Sequence, residues 1–341
     1  MRIIFASLMI VMLLTGCVFP GTGTPTNVAP TILPPTEIAT EVATATPGTP
    51  LTILILPVDM SQEQSNLYQS TINELAQASG MRFQVRNSLT SAELEMESNL
   101  KIVVALPPDP GLAELALAAP QVQFLGVTLP GLSAIDNLSL VGSEGTPIKN
   151  QAFMAGYITS LLSPDFRVGI ITQKDTPEGK LAYDAFLNGM VFYCGLCNPK
   201  FPPFYDYPVH SEIPTETPEG QFRFFADPLK NYNVDFAFVF PGVATDDLLD
   251  TMAQYGLKII SQKRPNERLT ANWVVSIQPE VIPAIRSIWP DLVAGLGGQN
   301  LALPLFLADV NPDLLSEGKQ RDVQDILDRL QRGEISTGIN P

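Results

Sequence analysis

Three cysteines, one histidine and a few clustered acids are the residues in this 341-residue chain whose types and spacing could do chemistry. Cys194-Gly-Leu-Cys197 has the spacing of half a zinc site or of a redox pair. A zinc site needs further ligands, and His210 is the one histidine. A thioredoxin-like redox role needs a strand-to-helix turn, whereas this pair follows a predicted helix. The expectation is a structural disulfide closing a short loop, contributing about 2 kcal/mol in the chain-entropy picture. His210, in Tyr205-Asp-Tyr-Pro-Val-His210, would need a nucleophile to serve as a general base, and no Gly-x-Ser-x-Gly elbow accompanies it; a strand-edge histidine is expected. Asp246, Asp247 and Asp250 fall in the first turns of a predicted helix, where carboxylates complement the dipole rather than gather a cation. With no Walker loop and no Gly-x-Gly-x-x-Gly turn, the chain is expected to be no enzyme and to hold neither metal nor cofactor.

The remaining cysteine has a different context. Arg2 precedes an apolar run, Ile3 to Leu14, that ends in Leu14-Thr15-Gly16-Cys17. The run is too short for a mature transmembrane helix and right for a signal-peptide core. Its end resembles the bacterial lipobox, which implies cleavage before Cys17 and acyl chains on that residue, enough for stable attachment. Residues 1–16 are therefore read as a signal peptide. Residues 17–50, rich in proline and threonine with Glu37 and Glu41 as the only charges, are read as a lipidated tether. The body is expected on the outer face of a cell membrane.

Net charge is −15, which disfavours nucleic acid as a partner and leaves lipid, not charge, to hold the protein at the membrane. The composition, 45% hydrophobic and 16% charged, is that of a globular body, and the length beyond the tether accommodates two lobes. From Leu51 onward short apolar runs alternate with helical stretches. Strands are predicted at 51–58, 101–106, 122–127, 138–141, 167–172, 235–240 and 257–261. Helices are predicted at 61–79, 112–118, 151–162, 177–193, 245–255, 279–296 and 316–332. Asp175-Thr-Pro-Glu178 is a strong helix opening, with a capping side chain, a first-turn proline and an acid. The alternation argues for α/β architecture with doubly wound parallel sheets, and the number of strands for two sheets rather than one. The aromatic segments 201–207 and 222–225 suit either a core or the mouth of a cleft.

Gln151-Ala-Phe-Met-Ala-Gly-Tyr-Ile-Thr-Ser-Leu-Leu162, then Arg167-Val-Gly-Ile-Ile-Thr172, then Ala185-Phe-Leu-Asn-Gly-Met190 form a series that resembles the basic membrane lipoprotein family, the purine nucleoside receptor-like branch of the type I periplasmic-binding proteins. The resemblance implies two doubly wound lobes joined by three crossovers: 51–144 with 278–298, and 145–277 with 299–341. It implies a solute trapped between them and an ABC permease as partner. The same fold would also serve a surface lipoprotein that senses a ligand or partner without transport. Ligands of open α/β sheets gather beyond the strands' carboxyl ends, which makes Asp59, Ser65, Thr128, Thr172, Gln173, Phe240, Gly242 and Lys263 the binding candidates. Two departures bear on the solute. Asn66-Leu67 stands where the family has a base-stacking aromatic, and Lys263 stands near the family's sugar-binding acid. A small polar solute other than a nucleoside is expected.

Overall fold

The computed structural model describes residues 48–339, so the signal segment, Cys17 and most of the tether lie outside the described residues. The described residues belong to one compact unit. Within it are two six-stranded sheets.

The first sheet begins with β1 (Leu51–Ile55), every residue of which is buried. Its alternating side chains explain why the strand reads as one apolar run. Leu51, Ile53 and Ile55 point to one face, where they meet Leu94 of α2 (Ser91–Met96) and Leu112 and Leu115 of α3 (Leu112–Ala118). Leu54 points to the other, against Ile72 of α1 (Gln62–Ala78) and Ile285, Ile288 and Trp289 of α8 (Val281–Ala294). Ser61 caps α1 by accepting from the Gln64 N–H, and Gly80, at φ +70°, ends it in a conformation glycine adopts without strain. The order around β1 is β11-β5-β4-β3-β1-β2, with β2 (Arg82–Arg86), β3 (Leu100–Ala105), β4 (Gln123–Val127), β5 (Leu138–Val141) and β11 (Asn300–Leu301), all parallel.

The second sheet has the order β12-β10-β9-β8-β6-β7, built from β6 (Val168–Gln173), β7 (Val209–Ile213), β8 (Phe236–Val239), β9 (Lys258–Ser261), β10 (Trp273–Pro279) and β12 (Leu305–Ala308). Only β12 runs antiparallel. Its core is one continuous cluster centred on Trp273, Phe153, Phe186 and Phe238. Helices α4 (Ile148–Leu162) and α5 (Pro177–Cys194) cross at unusually close range on this sheet. A Cβ on Gly156 would collide with the Phe186 carbonyl oxygen, and one on Gly189 with that of Phe153. Gly156 and Gly189, two of the three glycines of the sequence series, thus form one reciprocal contact, backbone against backbone. Thr176 caps α5 by accepting from the Gly179 N–H, and Pro177 occupies its first turn.

The predicted strands and helices all have counterparts. The strands absent from the prediction are β2, β7, β10, β11 and β12. Four of these five are sheet edges, where one side of the ladder lacks a neighbour and the burial that produces an apolar run is incomplete. The lobe boundaries also fall differently from the expected ones. Pro279 still pairs with Leu305 in the second sheet, and Asn300–Leu301 pair with Leu140–Val141 in the first. The crossings therefore lie at 142–147, at Glu280 and at 302–304. A two-residue strand carries no periodicity to read.

Candidate functional site

All three crossings leave from the carboxyl end of a strand: β5 into α4, β10 into α8, and β11 into β12. The carboxyl edges of the two sheets therefore adjoin, which is where open α/β sheets collect their ligands. Hydrogen bonds bind the crossings to one another. The Gly142 N–H donates to the Leu301 carbonyl at 2.8 Å, the Ser143 hydroxyl to Asn300 Oδ1 at 2.9 Å, and the Glu280 N–H to the Pro304 carbonyl at 2.8 Å. Gly142 has φ +67°, and a Cβ there would strike the Leu303 side chain, so two constraints at once favour glycine.

Against this hinge lies a cavity of about 570 Å³. Glu144, Lys149 and Asn150 enter it from the first crossing and the start of α4, Asn300 from the third, and Glu178 from α5. Among the described residues none of Glu144, Lys149 and Glu178 takes part in an ion pair. One ammonium, two carboxylates and two amides can serve a solute bearing both donors and acceptors. Sequence reasoning missed these residues. The usable signal was the turn-rich Gly142-Ser-Glu-Gly-Thr-Pro147 between a strand and a helix, which marks a crossing.

The sequence-derived candidates divide. Asp59 is exposed and lines a second hollow, about 470 Å³, formed where β1, β2 and β3 end, together with Asn87, Ser88 and Asp109. This is the switch point of the first sheet, since β1 has β2 on one side and β3 on the other. The equivalent point of the second sheet lies between β6 and β8 and brings Gln173, Phe240 and Gly242 together. A Cβ on Gly242 would lie 3.0 Å from the Phe240 ring and 3.8 Å from Gln173 Oε1. Lys263, beyond β9, is exposed and in no ion pair among the described residues, whereas its neighbour Arg264 is drawn to Asp309 at 3.7 Å.

Three candidates have hydroxyls committed internally. Thr172 is fully buried, and its Oγ1 lies 2.7 Å from His210 Nε2. Thr128, at φ +53°, donates its hydroxyl to the Val127 carbonyl, and Ser65 accepts from Gln69 Nε2 within α1. Of the aromatic segment 201–207, Tyr207 packs against the core of the second sheet while Phe201 and Phe204 stand in solvent. The segment follows the carboxyl end of α5, at the opposite end of the lobe, with Phe201 65% and Phe204 69% exposed.

His210 lies on the edge strand β7, stacked on Tyr183 with ring centroids 4.2 Å apart. Among the described residues its one hydrogen-bond partner is the buried Thr172, and none of them supplies a carboxylate that orients the ring or an accessible nucleophile that faces it. Burial pushes its pKa below the ordinary value, outweighing the opposite pull of Glu212 and Asp184. Above about pH 6.5 the ring is neutral in both folded and unfolded chains; below it the unfolded chain takes up the proton first, so stability falls on acidification. The single C2–H resonance of this histidine is expected to titrate with a midpoint below about 6.5. A midpoint above that value would refute the buried placement.

Cys194 and Cys197 are joined, with Cα atoms 5.5 Å apart, at the carboxyl end of α5. Among the described residues no group of three or more His, Cys, Asp or Glu side chains is placed to hold a metal ion.

No family model matches the chain, and no curated protein matches it. Solved structures do. A transcriptional activator of the comK gene from Bacillus halodurans superposes with TM-score 0.52 at 11% identity, covering 84% of this chain and 99% of that one. An ABC transporter solute-binding protein from Aeropyrum pernix K1 gives 0.46 at 13% identity, over 84% of this chain and 92% of that one. A periplasmic binding protein/LacI regulator from Alkaliphilus metalliredigens QYMF, complexed with D-xylulofuranose, gives 0.40 at 14% identity, over 76% and 97%. Two doubly wound sheets, three crossings and adjoining carboxyl edges make this a periplasmic-binding-protein type I-like fold.

Proposed function

We propose that this chain is a lipid-anchored, extracytoplasmic solute-binding protein, the substrate-capture subunit of an ABC importer. The observation that carries the reading is the cavity at the hydrogen-bonded hinge, where the carboxyl edges of both sheets adjoin and Glu144, Lys149, Asn150, Glu178 and Asn300 are among the lining residues. A solute there touches both lobes and stabilises the arrangement in which they close on it. It shifts the open–closed population by its differential affinity for the two states, and a membrane permease would read the closed form. No bond is made or broken. Attachment through Cys17 supports the same role by keeping the binding body beside its permease.

The solute is small and polar. A purine nucleoside suits the site poorly. The position expected for a stacking aromatic holds Leu67, half exposed on α1, and the Asn66 amide oxygen is occupied by Gln62 Nε2 at 2.7 Å. The test is native mass spectrometry of gently purified protein, followed by small-angle scattering of stripped and reloaded samples. The expected result is a releasable small molecule and a smaller radius of gyration when it is bound. A stripped protein that binds none of a panel of nucleosides, sugars and carboxylates, with unchanged scattering, would overturn the proposal.

A further inference from the structure

The lining of the hinge cavity discriminates among small polar solutes. Among the described residues no aromatic side chain lines it, so it offers no platform on which a base or the face of a sugar ring could stack. Its apolar side chains are aliphatic, Ile148, Leu181, Leu301 and Ala302 among them. Its charged ones are Lys149, Glu144 and Glu178, none of which is paired within the described residues. Lys149 stands where its own helix disfavours it. It lies in the first turn of α4, where the dipole opposes a cation, and no acid shares that turn. Pro147, which precedes the helix, brings no side-chain cap to the first N–H groups. The whole opening of α4, Pro147 to Asn150, lines the cavity. That turn is fixed in place, because the fully buried Gln151 donates its Nε2 to the Ile277 carbonyl of β10 at 2.7 Å.

An ammonium beside uncapped N–H groups, on a turn that faces the cavity, makes a seat for a carboxylate. Glu144 from the first crossing and Glu178 from α5 remain, and each can take a cationic group. The lining therefore carries one negative charge in excess, which a solute with one net positive charge neutralises. We propose that the solute is an aliphatic amino acid whose side chain carries a second cationic group. Its carboxylate lies at the opening of α4, its two cationic groups on Glu144 and Glu178, and its methylenes against Leu181 and Leu301. The inference rests on the solute-binding reading above and names the class of solute for the same cavity. The volume of about 570 Å³ lies within the range of small-molecule sites, about 300–1,000 Å³.

The experiment is titration calorimetry on the full chain, stripped of any copurifying solute, with scattering recorded on the same samples. Free lysine and free arginine are expected to bind. Norleucine lacks the second cationic group and cadaverine lacks the carboxylate; each is expected to bind roughly ten- to a hundredfold more weakly than lysine. Glutamate, whose side chain has the opposite charge, is expected to give no heat of binding. Lys149→Gln should narrow the gap between lysine and cadaverine, and Glu144→Gln combined with Glu178→Gln the gap between lysine and norleucine. None of the three side chains is buried, so the variants keep the fold. Norleucine or cadaverine binding as tightly as lysine, or gaps unchanged in the variants, would overturn the proposal. A nucleoside or sugar that binds and shrinks the radius of gyration, where the basic amino acids do not, would overturn the class and leave the solute-binding reading standing. No binding by any of these compounds, with scattering unchanged, would sink both.

Discussion

Gly156→Ala is expected to lower the melting temperature of the protein by roughly 5–10 °C. Overpacking a tight core costs about 1–3 kcal/mol, and each kcal/mol moves the melting point of a body this size by about 2–4 °C. The added methyl group falls on the Phe186 carbonyl, which is main chain and cannot rotate aside. The helices must separate, and with them the packing of Phe153 and Phe186 over the second sheet. Gly189→Ala should do the same from the other side, and the double variant should cost less than the sum, because the first methyl already parts the helices. Gly220→Ala, with no atom within 4 Å of the new Cβ, should change stability by no more than about 0.5 kcal/mol. Calorimetry decides. A Gly156→Ala protein that melts like the parent would mean that α4 and α5 do not touch through these glycines.

Lys149→Ala should weaken binding of the solute released from the purified protein by roughly ten- to a hundredfold. Removing one partner of a charge-assisted hydrogen bond typically costs about 1.5–3 kcal/mol, and about 1.4 kcal/mol is tenfold in affinity. Asn150→Ala, which removes a neutral hydrogen bond, should cost about three- to tenfold. Both side chains line the hinge cavity and neither is buried, so neither change should disturb the core. Titration calorimetry on the two variants is the measurement. Affinity unchanged in both would place the solute elsewhere, and Asp59 and Gln173 at the switch points of the two sheets would be the next to substitute.

The class of fold was legible because its central strands are buried on both faces. Leu51, Ile53 and Ile55 face one layer of helices and Leu54 the other, which forces an unbroken apolar run that neither a surface strand nor a loop would show. Helix ends were legible for a similarly local reason: Ser61, Thr176 and Gly80 satisfy or release backbone groups within a few residues of themselves. The carboxyl-edge rule then brought Asp59, Gln173, Phe240 and Gly242 into consideration before any contact was known. It also brought in Thr128 and Thr172, whose hydroxyls turn back onto Val127 and His210. Position along a strand says which edge a residue is near; it does not say which way a short side chain turns.

What the sequence by itself determined about this protein is whatever depends on neighbours within a turn or along a strand: the α/β alternation, the helix caps and the buried strands. Only the tertiary structure decided which strands are edges, where the lobes exchange chain, and which charged groups share a cavity. Glu144, Lys149, Glu178 and Asn300 are brought to one hinge from segments up to 156 residues apart, counting from Glu144 to Asn300. Leu196, Phe201 and Phe204 look like core residues by type, yet Asp165 and Arg167 hold their loop open to water. Both outcomes rest on long-range hydrogen bonds and on volume shared between remote segments, and neither leaves a period or a local preference for a sequence to show.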